Sequence, residues 1–98
     1  LNSQLIKNQP ATFIIRVQGK SMNGVGIHDG DLLIVDRSIN PKNSSAVIAN
    51  VNEELVVKTF IKEKDKNYLT SGQKKIELND NPNVIIWGVV TYVIHKLH

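Results

Sequence analysis

Ninety-eight residues with 41% hydrophobic and 21% charged side chains have room for one small core and are too apolar for intrinsic disorder. Twelve Lys and Arg against nine Asp and Glu leave a formal charge of +3, a surplus ordinary for solubility that selects no acidic partner by itself. The absence of cysteine removes disulfides, thiolate zinc sites, iron–sulfur clusters and cysteine nucleophiles.

The chain opens at Leu1 rather than at a methionine, with no basic stretch ahead of an apolar run, and so reads as a piece whose upstream residues are missing. Leu5, Ile6 and Pro10 allow a short turn of helix, and Thr12 to Val17 reads as the first strand. Asn23-Gly24 and Asp29-Gly30-Asp31 are turn signals. Strands are expected over Leu32 to Val35, Ala46 to Val51 and Leu55 to Ile61, where β-branched and apolar residues dominate. The clusters Lys62-Glu63-Lys64-Asp65-Lys66 and Lys74-Lys75 read as solvated loop. Neither is interleaved with aromatic residues, so no direct nucleic-acid binding is expected. Asn79-Asp80-Asn81-Pro82-Asn83 breaks the chain before a last strand, Val84 to Ile94, with Gly88 as a bulge or bend. This closing run is a candidate dimer edge. It falls far short of the roughly 20 apolar residues a membrane span needs. No segment holds a 3.6-residue period, and there is no repeat or linker, so residues 1–98 read as a single, mostly β domain.

Gly19-Lys20-Ser21 invites a phosphate-loop reading, but the glycine that motif needs five residues before its Gly-Lys pair is Ile14 here. Gly24 and Gly26 also work against a helix that would offer its N-terminus to phosphate. Ser21 instead follows a strand and precedes a glycine-rich turn, where a hydroxyl either satisfies local backbone groups or projects into a cleft. A nucleophilic serine needs a base. His28 lies in a turn beyond the serine and His95 and His98 lie at the C-terminus, so none pairs naturally with Ser21. Lys58, inside the apolar run Leu55 to Ile61, is the other base available. Strand alternation sets it on the face of Val56 and Phe60, where desolvation disfavours its charged form. The competing reading is an edge-strand lysine that snorkels to water. No metal site and no cofactor are expected.

Taken together, Gly19-Lys20-Ser21-Met22, the run from Gly26 through His28, Gly30 and Leu32 to Asp36, and Val57-Lys58 resemble the serine–lysine self-cleaving peptidase family of LexA and UmuD, peptidase S24. Leu1-Asn2, Leu5-Ile6, Pro10-Ala11-Thr12-Phe13 and Trp87-Gly88-Val89-Val90 are most similar to the UmuD branch. The resemblance covers nearly the whole chain and implies a curled set of antiparallel sheets, as in the catalytic domain shared with signal peptidases. It implies Ser21 as nucleophile, Lys58 as general base and backbone N–H groups at Ser21 and Met22 holding the oxyanion. It further implies an SOS-response mutagenesis protein in the cytoplasm. In this family cleavage is stimulated by the RecA filament on single-stranded DNA, and the processed homodimer serves a UmuC-like, Y-family translesion polymerase. The alternative is the self-cleaving, dimerising domain of a LexA-type or phage-type repressor. Two departures stand out. Lys20 occupies a position that is acidic in most relatives, and the Ala-Gly or Cys-Gly bond that the family cleaves occurs nowhere in the 98 residues, so the cleavage segment is expected upstream of Leu1.

Overall fold

A computed structural model describes residues 11–19, 26–71 and 74–95. Seven strands make one antiparallel sheet: β1 (Thr12–Arg16), β2 (Leu32–Asp36), β3 (Ala46–Val51), β4 (Glu54–Glu63), β5 (Lys66–Thr70), β6 (Lys75–Glu77) and β7 (Val84–Ile94). Their order across the sheet is β1-β2-β7-β3-β4-β5-β6. The mostly β expectation holds, and the β-branched runs become β1 to β4 and β7. No helix among the described residues is long and apolar enough to cross a membrane.

Each face of the sheet's centre carries a core, which explains why β3 is apolar without alternation. Ile48 points into one core with Val17, Ile27, Leu33, Val35 and Val57, while Val47 and Ala49 enter the other with Val56, Phe60, Leu69, Val84 and Val89. The centre of β3, Val47 to Ala49, is buried on both faces and so is apolar without alternation, and the first polar side chain, Asn50, comes where burial relaxes. β1 and β2 are covered on one face only. On the other, Ile14, Ile34 and Tyr92 form a cross-strand row with Ile14 70% and Tyr92 67% exposed.

β7 lies inside the sheet rather than at its rim, which corrects the expected dimer edge. It pairs β3 through Val84 to Val89 and β2 through Val89 to Ile94. The register slips by one residue in each half, at Trp87 opposite Ile48 and Ala49 and at Thr91 opposite Ile34 and Val35. These are the bulges Gly88 foreshadowed, and they let one strand turn from one neighbour to the other. Thr91 Oγ1 donates to the Ile34 carbonyl at 3.1 Å, giving the bulged residue a side-chain tie.

The alternating charges at 62–66 form a hairpin rather than a loop. Glu63 pairs with Lys66 across a two-residue turn, with Lys64 at φ 52°. Lys75 bonds Glu63 at 3.0 Å, so part of this charge is fixed across the sheet surface. The β3–β4 hairpin turns on Asn52 at φ 52° and Glu53 at φ 70°, the left-handed pair of a type I′ turn. Glycine is the residue suited to the second of these positions. Glu53→Gly is therefore expected to raise stability by about 0.5 kcal/mol, read as a rise of a few degrees in the thermal midpoint. An unchanged or lower midpoint would show that glycine's larger unfolded-state entropy offsets the relieved strain.

Candidate functional site

Lys58 sits on β4 between β3 and β5, so the edge-strand reading does not apply. The expected face assignment holds: Val47 is its cross-strand partner, and Val56 and Phe60 are buried on either side along the strand. Lys58 itself is half-buried. Its Nζ donates to Ser71 Oγ at 3.1 Å. The β4–β5 register, with Thr59 opposite Thr70, delivers Ser71 beside Lys58. Nothing local in Thr70-Ser71-Gly72 signals that contact, and sequence reasoning missed it.

Ser21 and Met22 lie outside the described residues, as does the turn signal at Asn23-Gly24. The flanks of their segment are held firmly. Val17 N donates to the Asp31 carbonyl and Gly30 N to the Val17 carbonyl, each at 2.8 Å, so β1 continues its pairing past Arg16. Gly19 N donates to Asp29 Oδ1 at 2.7 Å. Downstream, the expected turn closes with Asp31 N donating to the His28 carbonyl at 3.1 Å, and Gly30 at φ 91° supplies the left-handed conformation a type II turn needs. Val17 and Ile27, on the two flanks, are buried in the same core as Val57, the residue preceding Lys58.

The same turn holds a charged cluster that the sequence did not disclose. Asp31 is the one buried polar residue among those described, and its Oδ2 accepts from the His28 amide at 2.8 Å. His95, from the end of β7, brings Nδ1 to 2.8 Å from the same oxygen. The His28 amide chiefly, and the His95 imidazole after it, hold the Asp31 carboxyl below the usual carboxylate range against the opposing effect of burial. Asp36 is likewise lowered, by hydrogen bonds from the Ser38 hydroxyl and amide. With its folded value depressed, Asp31 contributes stability in full above about pH 4, and that contribution is lost as the pH falls through the folded value. Thermal midpoints measured from pH 6 to pH 2 are expected to fall less steeply below pH 4 in Asp31→Asn than in the unaltered chain. Equal slopes would remove Asp31 from the acid response.

A family model described as Peptidase S24-like matches residues 1–91. Protein ImpA of Salmonella typhimurium is 38% identical over 104 residues, an alignment covering 98% of this chain and 67% of the relative. Protein MucA of Escherichia coli is 36% identical over 96 residues, covering 94% of the chain and 65% of the relative. The LexA repressor of Desulfitobacterium hafniense is 37% identical over 93 residues, covering 95% of the chain but 46% of the repressor. The chain thus belongs to the peptidase S24-like family, a serine peptidase family with self-cleaving members, and within it to the UmuD-type proteins of SOS mutagenesis.

Proposed function

We propose that the chain is the catalytic part of a self-cleaving serine peptidase in which Ser21 and Lys58 form the reactive pair. The supporting observation is Lys58 itself: a lysine on an interior strand, between buried Val56 and Phe60, with its Nζ held by a neighbouring hydroxyl.

The Lys58 amine takes the Ser21 hydroxyl proton as Oγ attacks the carbonyl carbon of the scissile bond. The tetrahedral oxyanion is held by backbone N–H groups at Ser21 and Met22. Lys58 then returns the proton to the departing amine, leaving an acyl-enzyme that water hydrolyses with Lys58 again as base. The RecA filament on single-stranded DNA promotes this step by favouring the conformation in which the cleavage segment reaches the pair. The processed chain works in the cytoplasm as a homodimer that serves a UmuC-like, Y-family polymerase. The apolar row of Ile14, Ile34 and Tyr92 is surface suited to such an assembly.

Incubating the chain, extended upstream through its cleavage bond, with RecA filaments tests the peptidase reading. Cleavage is expected to disappear in Ser21→Ala, and unchanged cleavage would remove Ser21 from the chemistry. Capture of a Y-family polymerase by the processed chain tests the adaptor role, and failure at micromolar concentration counts against it. The LexA relative favours a repressor as the second reading. A helix-turn-helix encoded upstream would decide for it.

A further inference from the structure

We propose that His28, Asp31 and His95 form a binding site for a divalent first-row transition ion of the zinc type, a site separate from Lys58 and independent of the peptidase reading. One ligand atom from each of the three residues lies within 4.8 Å of the others. Two imidazoles and a carboxylate are a nitrogen and oxygen donor set that zinc accepts, with a fourth position left for water. Metal–ligand bonds of about 2.0–2.1 Å place tetrahedral ligands roughly 3.3 Å apart. The observed spacings bracket that value: Asp31 Oδ2 is 2.8 Å from His95 Nδ1 and 3.9 Å from His28 Nδ1. The two rings have centroids 5.9 Å apart and are tilted by 56°.

The three groups divide the work of a binding site. Asp31 is fixed, its side chain 6% exposed and its carboxylate anchored by the His28 amide. Such a bond from the backbone holds a ligating oxygen in place before the ion arrives. The histidines are accessible, with side chains 73% exposed at His28 and 48% at His95, so the ion has an entry path. In the metal-free protein His95 Nδ1 and Asp31 Oδ2 contact each other directly at 2.8 Å, and an ion bound between them would replace that contact. The charged neighbours are Arg16, which shares a groove with His95, and Asp29, whose Oδ1 is already engaged by the Gly19 amide. Arg16 opposes the bound cation and keeps the site below the affinity of a dedicated zinc centre.

Calorimetric titration of the intact, untagged chain with Zn2+ in excess Mg2+ at pH 7.5 tests the assignment. One ion is expected to bind per chain, with a dissociation constant on the order of micromolar. His28→Gln and His95→Gln are each expected to weaken binding about tenfold or more, and the rise in thermal midpoint that Zn2+ gives should shrink in parallel. Both variants leave buried Asp31 in place. Affinity in either variant equal to that of the unaltered chain, an equal loss in His98→Gln, or no saturable binding would overturn the proposal.

Discussion

Lys58→Met is expected to slow self-cleavage by about 10³- to 10⁴-fold while leaving the fold intact. Methionine keeps most of the aliphatic stem that lies beside Val47, Val56 and Phe60, so the change removes the amine and little packing. The companion variant is Ser71→Ala. Ser71 touches no reacting atom in the proposed chemistry. It accepts a hydrogen bond from Lys58 Nζ at 3.1 Å and so limits the directions in which the nitrogen lone pair can face. Losing that restraint is expected to lower the cleavage rate by roughly 10- to 100-fold. Ser71→Thr, which keeps an oxygen at the same position, should recover much of it. The checks are single-turnover cleavage rates on the upstream-extended chain, with circular dichroism to confirm folding. An unaltered rate in Lys58→Met would dismiss the proposed base. If Ser71→Ala cleaves normally, or Ser71→Thr recovers nothing, the hydroxyl has no positioning role.

The largest effect on stability is expected from Gly88→Ala. A Cβ at Gly88 would lie 2.6 Å from Val35 Cγ1, 3.3 Å from Arg37 Cγ and 3.5 Å from the Asp36 carbonyl oxygen. Arg37 has little room to move, because its guanidinium lies 4.4 Å from the Trp87 ring centre and its Nε donates to the Trp87 carbonyl. Val35 is fully buried against Leu33 and Ile48 and cannot retreat without opening a void. Overpacking of this kind costs about 1–3 kcal/mol, which for a domain near 100 residues lowers the thermal midpoint by on the order of 10 °C. The double variant Gly88→Ala with Val35→Ala should be less destabilised than the two single effects combined, because the smaller side chain frees the space the new methyl requires. Additive losses would show that the strain lies elsewhere along the bulge.

What the sequence revealed follows from how locally each feature is encoded. Strands β1 to β4 and β7 carry β-branched runs bounded by turn residues, and a half-buried strand needs little else. β5 and β6 carry no such run. Only Leu69 is buried in Lys66–Thr70, and Lys75–Glu77 is three residues long, so β5 depends on the edge that β4 offers and β6 on the edge of β5. The β4–β5 hairpin carries alternating charge, which suits a solvent-facing loop and equally a strand exposed on one side. The site divides in the same way. Lys58 stood out because a charge within an apolar strand conflicts with its surroundings. Ser71 reaches it only through the β4–β5 register, and His95 meets His28 and Asp31 only because β7 pairs with β2. Such contacts belong to the tertiary arrangement, and no short window of residues contains them.

The central place of β7 bears on how the protein is made. Among the described residues, the sheet hydrogen bonds joining the first two strands to the next four all pass through the strand synthesised last. While a ribosome is still translating the middle of the message, β1 and β2 lack their lateral partner, and the apolar faces of Leu33 and Val35 wait for a segment not yet emerged. The sheet can close only once β7 has emerged, so until then the nascent chain depends on chaperones or on rapid elongation to keep its early strands from pairing with those of other molecules.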